Sequence, residues 1–163
     1  MPAALIEREI VALGVTHILS VPDTHQKTLL SLLELRQSPR LLTFSTEDEA
    51  ICVNAGLWMG GAEPLVVIQN VGLFAAMNAL RGVALDMKVP TCLLVGQYGR
   101  DVGQPVEENS ASAVRLIEPV LATLGVPWYR IDHAADVGML AVAFSQSRAE
   151  RCPAVVLVGA PTA

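Results

Sequence analysis

The chain has 163 residues, of which 52% are hydrophobic, 17% charged and 4% aromatic, and its formal net charge is −5. That length is enough for one domain with its own core, and no apolar run reaches the roughly 18 uncharged residues that cross a membrane. No basic stripe or basic-aromatic patch is present, which argues against nucleic-acid binding. The high apolar share indicates a sheet buried on both faces, or a large surface that another chain covers.

The cysteines and the first residues bear on the compartment in which the chain works. Cys52, Cys92 and Cys152 are widely spaced and form no CxxC pair. We interpret them as buried thiols in a reducing compartment, rather than as metal ligands or disulfide partners. The N-terminus carries acids early and shows no cleavable signal pattern. We therefore expect a cytoplasmic protein.

Short β-branched runs alternate with longer helical patterns along the chain. The predicted strands are His17–Val21, Leu41–Ser45, Leu65–Gln69, Thr91–Gly96, Pro127–Ile131 and Ala154–Val158. The predicted helices are Ala3–Leu13, His25–Arg36, Glu47–Met59, Leu73–Leu85, Ala111–Leu124 and Ala134–Arg148. This alternation predicts a single α/β domain with a doubly wound, mainly parallel six-stranded sheet and helices on both faces. Ligands of such sheets bind beyond the carboxyl ends of the strands, so the loops there hold the candidate residues.

The loop after the second strand opens a helix with three acids. With Thr46 as N-cap, Glu49 falls at the third helical position and completes a capping box, while Asp48 complements the helix dipole. Glu47 is not needed for the cap, and it could project into a crevice at the sheet edge. From spacing alone, the simpler interpretation is that Glu47 is one more surface acid in a charged first turn.

The loop after the third strand offers amides and a glycine. Gln69 and Asn70 can bind neutral polar groups at the ligand edge, although Asn70 could equally be a turn residue. Gly72 permits a close approach of the backbone to a ligand. No GxGxxG follows a strand and no GK[ST] is present, so neither a dinucleotide fingerprint nor a P-loop is predicted.

The first and fourth loops are less specific. After the first strand, Asp23 or Thr24 is expected to cap the next helix. His25 could carry protons because its pKa lies near neutrality, but a lone loop histidine is more often a surface residue. The polar segment Gln97–Asn109 is long enough for a lid, and a flexible surface loop is the simpler interpretation. Its one cation is Arg100.

Several motifs, in order, resemble thiamine-diphosphate-dependent enzymes. GVTHILSVPD resembles their opening strand and turn, and STEDEAICVNAGLWMGG resembles their glutamate helix. LVVIQNVGLFAAMNALRG and KVPTCLLVGQYG resemble the next two strands, and the QN-x-GL…NAL pattern is closest to the phosphonopyruvate and sulfopyruvate decarboxylases. The resemblance runs from Gly14 to Gly99 and continues more weakly to the end.

The resemblance assigns roles to named positions. In that family the matching glutamate hydrogen-bonds N1′ of the cofactor aminopyrimidine, and Glu47 occupies this position. The resemblance therefore favours a role for Glu47 at the ligand over that of a surface acid. Proton sharing there favours the imino tautomer, whose nitrogen removes the thiazolium C2 proton. The residues expected to surround the cofactor with Glu47 are Gln69, Asn70 and Gly72. The residues expected to contact the substrate are Asp23, Thr24 and His25.

The resemblance also implies that the half of the active site that holds the metal and the diphosphate is not part of this sequence. Family members hold Mg²⁺ and diphosphate on a second domain through Gly-Asp-Gly followed by Asn, and nothing here matches that motif. The chain would then be the pyrimidine-binding domain alone, like the α subunit of split sulfopyruvate decarboxylases. We expect a separate diphosphate-binding β subunit to hold the metal, self-association within the heteromer, and a small 2-oxo acid substrate. The alternatives are a non-catalytic partner or ligand-binding module with this fold, and a flavodoxin-like domain with an unrelated ligand.

Some residues depart from the family pattern. Val71 and Phe74 replace smaller residues of the close relatives. A sulfonate or phosphonate group binds best where several cationic side chains surround it. The polar segment supplies only Arg100 as a cation and also carries the acids Glu107 and Glu108. Further cations could come from the missing chain, or the substrate is a different 2-oxo acid.

Overall fold

The computed structural model describes residues Met1–Ala163, and its centre is one six-stranded sheet in which all strands run parallel. The strands are β1 His17–Ser20, β2 Arg40–Thr43, β3 Pro64–Gln69, β4 Thr91–Gly96, β5 Trp128–Ile131 and β6 Pro153–Val158. Their order across the sheet is β2-β1-β3-β4-β6-β5. The predicted α/β class, strand number and parallel arrangement are confirmed.

Helices cover both faces of the sheet, as a doubly wound fold requires. They are α1 Ala3–Ala12, α2 Lys27–Glu34, α3 Glu47–Met59, α4 Asn70–Ala75, α5 Met77–Ala79, α6 Ser112–Thr123 and α7 Met139–Glu150. A core cluster of 19 buried residues joins α1, α2 and α7 to the sheet. A second cluster of 16 joins α3, α4 and α6 to the opposite face.

The apolar runs of the sequence form the central strands because both of their faces are covered. Every residue of β4 and β6 is buried, as is every residue of β3 except its last. Along β4, Cys92 and Leu94 belong to the first cluster, whereas Leu93 and Val95 belong to the second. This alternation is the period of two expected for a strand, and it fixes which side chains reach which face at the carboxyl edge.

The predicted helix Leu73–Leu85 differs from the structure. Helical geometry begins earlier, at Asn70, and the chain passes through α4 and α5 into a π-helix at Leu80–Asp86. The wider turn brings Arg81 Nη1 within 2.6 Å of Asp86 Oδ2, five residues along. Hydrophobic spacing cannot reveal such a segment because the π-helix still places Leu80 and Ala84 in the core.

The prediction of three buried thiols is only partly right. Cys92 is buried, and burial raises the pKa of its thiol to about 12. Cys152 is half-buried, whereas Cys52 is exposed on the outer side of α3. All three are free thiols. Among the helices, none combines the length and the apolar character needed to span a bilayer.

Candidate active site

The carboxyl ends of β1, β3 and β4 meet at one edge of the sheet. Gln69 at the end of β3 is in register with Gly96 at the end of β4. The loop after β1 folds over Gly96, because a Cβ atom there would lie 2.8 Å from Asp23 Oδ2 and 3.0 Å from His25 Cδ2. Loops that are distant in sequence thus form a single polar edge, as the sequence predicted.

Glu47 and Gly72 are in direct contact at this edge. A Cβ atom at position 72 would lie 2.0 Å from Glu47 Oε1 and 2.2 Å from its Cδ, so the absence of a side chain at Gly72 leaves the space that the carboxylate occupies. Glu47 is half-buried, and it takes part in none of the chain's five ion pairs. The structure therefore brings together two of the predicted site residues and leaves the carboxylate without a charged partner.

The capping box predicted for α3 does not form. Thr46 is the N-cap residue with extended backbone, but its side chain makes no capping hydrogen bond. Its hydroxyl instead hydrogen-bonds the Asp48 carboxyl and so lowers the pKa of Asp48, as does the Glu49 backbone N–H. Asp48 and Glu49 are exposed. The acids of the first turn thus differ in environment, and Glu47 alone packs against the site.

Asp23 organises the loop after β1. Its Oδ1 accepts hydrogen bonds from the His25 backbone N–H at 2.7 Å and from Gln69 Nε2 at 2.8 Å, and its Oδ2 accepts one from Gln26 Nε2 at 3.1 Å. Asp23 therefore caps the turn after β1 and not the helix α2, because α2 begins only after Gln26. Thr24 is exposed at the same edge.

His25 is buried, so the expected surface location is wrong. Its Nε2 lies 3.0 Å from the Val158 carbonyl oxygen, which makes Nε2 the protonated nitrogen because a carbonyl can only accept. The Thr162 backbone N–H donates to the His25 carbonyl at 2.9 Å. Burial lowers the pKa of His25 below its ordinary value of 6.5, and the Asp23 carboxylate offsets part of this effect. The ring is therefore neutral near neutral pH.

The lowered pKa of His25 predicts a pH-dependent stability. Below pH 6.5 the unfolded chain binds a proton at this histidine more readily than the folded chain does. The stabilisation is thus complete above that pH and is lost as the pH falls towards the folded-state pKa. We expect the melting temperature to fall between about pH 7.5 and 5, and to fall less steeply in His25→Gln. Parallel melting curves for the two proteins would contradict this.

Asn70 joins the loop after β3 to the loop after β4. Its side chain is fully buried, its Nδ2 donates to the Tyr98 carbonyl at 3.2 Å, and its Oδ1 accepts the Val71 backbone N–H at 2.9 Å. Asn70 is therefore both a turn residue and a residue at the ligand edge of the sheet. Val71 on α4 is 53% exposed, so one of the two residues that depart from the family pattern lies on the surface beside Gly72.

The segment Tyr98–Asn109 is more ordered than a flexible loop. Asn109 is buried, and it binds the Asp101 backbone N–H at 2.6 Å and the Pro105 carbonyl at 2.8 Å. The Arg100 side chain is 4% exposed and faces Asp132 at 3.7 Å, and it also donates to the carbonyls of Asp101 and Gln104. The one cation of this segment is therefore committed to holding the loop.

Sequence reasoning missed two buried amides. Gln26 is fully buried, and its Nε2 donates to the Ile68 carbonyl at 2.9 Å as well as to Asp23. Gln97 is also fully buried, and neither its Nε2 nor its Oε1 has a hydrogen-bond partner. The only signal in the sequence is their position, because Gln26 directly follows the loop VPDTH and Gln97 directly follows the predicted strand Thr91–Gly96.

No protein-family model matches the chain. Over 147 residues it is 29% identical to the phosphonopyruvate decarboxylase of Streptomyces viridochromogenes, a match that covers 90% of this chain and 36% of the relative. Over 117 residues it is 27% identical to the sulfopyruvate decarboxylase subunit alpha of Methanocaldococcus jannaschii, with 72% of this chain and 68% of the relative covered. The chain is a relative of the sulfopyruvate and phosphonopyruvate decarboxylases.

Solved structures of decarboxylases share the fold. The benzoylformate decarboxylase of Polynucleobacter necessarius matches with a TM-score of 0.73 at 20% identity, over 97% of this chain and 30% of that one. The thiamine diphosphate-dependent 4-hydroxybenzoylformate decarboxylase of Rhodococcus jostii RHA1 matches with a TM-score of 0.69 at 19% identity, over 98% and 31%. The chain thus spans about a third of these decarboxylases and of the Streptomyces relative, and most of the M. jannaschii alpha subunit.

Proposed function

We propose that this chain is the pyrimidine-binding α subunit of a heteromeric, thiamine-diphosphate-dependent 2-oxo acid decarboxylase. The observation that carries the proposal is the Glu47 carboxylate, which lies half-buried at the ligand edge against Gly72 and has no ion-pair partner. Decarboxylases among the relatives support the reaction class, and a relative named as an alpha subunit supports a partner chain. In this proposal residues 1–163 form one pyrimidine-binding domain.

The residues at this edge fit an aminopyrimidine ring. Thiamine diphosphate, when bound, supplies the carbon nucleophile for the 2-oxo group and a ring that takes up the electrons left by departing CO₂. Glu47 shares a proton with a ring nitrogen, because a carboxyl group held against the ring is a positioned acid-base group. Gln69, Asn70 and Gly72 border the ring.

The residues after β1 are proposed to face the substrate. The hydroxyl of Thr24 is exposed at the same edge. Asp23 fixes the amide of Gln69, and His25 presents a neutral ring whose Nε2–H is already bonded. Together they place one free hydroxyl and one imidazole beside the candidate cofactor residues.

We assign Mg²⁺ and the diphosphate group to a β subunit. The sequence contains no Gly-Asp-Gly motif followed by Asn. No group of three or more His, Cys, Asp or Glu side chains in the chain is placed to hold a metal ion. The relative named as an alpha subunit supports placing these groups on a separate chain.

The outer side of α3 supports an extensive protein interface. After its acidic first turn the helix is apolar at every position except the buried Asn54, a pattern typical of a helix buried on all sides. On its outer side, however, Met59 is 65% exposed, and no atom lies within 4 Å of the Cβ position of Gly56. A glycine inside a helix costs about 1 kcal/mol relative to alanine, and close packing of another chain would explain it. We propose that a β subunit or a second copy of this chain covers this surface.

The substrate is proposed to be a small 2-oxo acid. The names of the relatives point to sulfopyruvate or phosphonopyruvate, but Arg100 is engaged by its own loop and Asp132. A cation for a sulfonate or phosphonate therefore has to come from the β subunit, or the substrate lacks a second anionic group. Three free cysteines support a reducing compartment, and we propose the cytoplasm.

Reconstitution tests the proposal. The chain is co-purified with a diphosphate-binding subunit that contains Gly-Asp-Gly and Asn, and CO₂ release is measured with pyruvate, sulfopyruvate and phosphonopyruvate. Turnover of at least one acid that depends on both chains is expected. A pair that binds thiamine diphosphate and Mg²⁺ but releases no CO₂ would instead support a non-catalytic module.

The isolated chain should bind the cofactor poorly. Titration calorimetry of the chain with thiamine diphosphate and Mg²⁺ should give no saturable binding in the micromolar range, because the diphosphate and metal contacts belong to the partner. The reconstituted pair is the matched control and should show saturable binding. Micromolar affinity of the isolated chain would contradict the division of the site.

A further inference from the structure

The buried side-chain amide of Gln97 makes no hydrogen bond within this chain. The side chain is 0% exposed, and neither Nε2 nor Oε1 has a hydrogen-bond partner. Buried polar side-chain atoms are nearly always paired, and an unpaired one costs free energy that an apolar residue of the same shape would avoid. A polar side chain retained in such a position indicates that its partner is a molecule outside the chain.

The position of Gln97 places that partner at the candidate active site. Gln97 directly follows β4, and its backbone N–H donates to the Val158 carbonyl at 2.9 Å. By the alternation along β4, its side chain lies on the same face as Val95, the face covered by α3 and α4. Glu47 begins α3 and Gly72 lies in α4, so Gln97 shares their side of the ligand edge.

The segment Tyr98–Asn109 directly follows Gln97 and has its own network of hydrogen bonds, between Asn109 and Asp101, between Asn109 and Pro105, and between Arg100 and Gln104. Its links to the rest of the chain include Asn70 Nδ2 to the Tyr98 carbonyl at 3.2 Å, Arg115 Nη1 to the Asn109 carbonyl at 2.7 Å, and Arg100 to Asp132 at 3.7 Å. Binding of a ligand by the buried Gln97 amide therefore requires a shift of this segment.

We propose that Gln97 Nε2 binds the carboxylate of the 2-oxo acid, an inference that rests on the proposed function. The only cation of the covering segment is engaged, so a neutral donor is the group available to a carboxylate from this side. A neutral donor also suits the reaction. The carboxylate loses its charge as CO₂ leaves, and a cation would stabilise the ground state more than the transition state.

Gln97→Met in the reconstituted enzyme tests the assignment. Methionine keeps the length of the side chain and removes both unpaired polar atoms, so the melting temperature of the chain should rise by about 2 to 4 °C. The KM should rise by roughly 10-fold to 100-fold, the loss expected for one hydrogen bond to a charged group, with kcat changed by less than about threefold. Because the carboxylate is common to all 2-oxo acids, KM should rise by a similar factor for each accepted acid.

Asn54→Leu is the matched control. Asn54 is also a fully buried amide, but its Nδ2 donates to the Pro90 carbonyl at 3.1 Å and to Thr91 Oγ1 at 3.0 Å, at the opposite end of β4. Its replacement should lower the melting temperature and leave KM unchanged.

Three results would overturn the assignment. If the Gln97→Met enzyme is active and its KM is unchanged, the assignment of Gln97 is refuted while the proposed function stands. A lower melting temperature in Gln97→Met would show that the amide has a partner within the protein. A wild-type pair that turns over no 2-oxo acid would refute the proposed function and this assignment with it.

Discussion

Replacing Glu47 with glutamine should lower the decarboxylation rate of the reconstituted enzyme by roughly 10²-fold or more, the usual scale for loss of a positioned acid-base group. Glutamine keeps the volume beside Gly72 and can still hydrogen-bond, but it cannot exchange a proton. Because Glu47 is half-buried and outside every ion pair, folding stability should change by less than about 1 kcal/mol. Rates, thermal melts and C2 proton exchange of bound cofactor by NMR measure the effect.

Asp48→Asn is the internal control for this prediction. Asp48 is the next residue along the chain and is exposed, and the neighbouring Thr46 hydroxyl lowers the pKa of its carboxyl. It should retain activity. If Glu47→Gln exchanges the C2 proton as fast as the wild type, the assigned role of Glu47 is wrong. If both variants lose activity and melt early, the acids of this turn serve the helix start.

Replacing Gly72 with alanine should lower activity by nearly as much as Glu47→Gln does. The new Cβ would lie 2.0 Å from Glu47 Oε1, so the carboxylate has to move. A flexible side chain can swing away at little cost to folding, and activity should fall by roughly 10²-fold while the melting temperature stays close to that of the wild type. Decarboxylation rate and cofactor affinity of the reconstituted enzyme measure this.

Gly138→Ala and a double variant show whether Gly72 acts through Glu47. No atom lies within 4 Å of the Cβ position of Gly138, so that substitution should leave activity unchanged. If displacement of Glu47 is the whole effect, Gly72→Ala combined with Glu47→Gln should be no slower than Glu47→Gln alone. An additive loss would instead indicate that the backbone of Gly72 contacts the cofactor directly.

The parts of the fold that depend on local pattern could be predicted from the sequence. Continuous apolar runs such as Leu65–Ile68 and Ala154–Val158 fit strands covered on both sides, and their alternation with helices predicts a parallel sheet. The same reasoning put Glu47 at the first turn of α3 and Gln69 at the ligand edge. The start of α3 at Glu47 agrees with the prediction.

The parts that depend on distant contacts could not be predicted. His25 is buried because Gly96, 71 positions further on, leaves room for the loop after β1 and because Val158 supplies the acceptor. Arg100 is neutralised by Asp132 from another strand end. No feature of sequence spacing carries such information, and a residue in a polar loop therefore looks available when the fold has already engaged it.

The two outer strands constrain how this protein can meet another chain. β2 and β5 have only four residues each, and they carry Arg40 and Arg130 as exposed residues, with Arg130 paired to Glu118 at 2.6 Å. Short, charged border strands oppose the addition of a further strand from another molecule. The sheet is therefore closed to extension at both sides. In the proposed heteromer a companion polypeptide would therefore dock on helices, in agreement with the proposed interface on the outer side of α3, the helix that begins with Glu47.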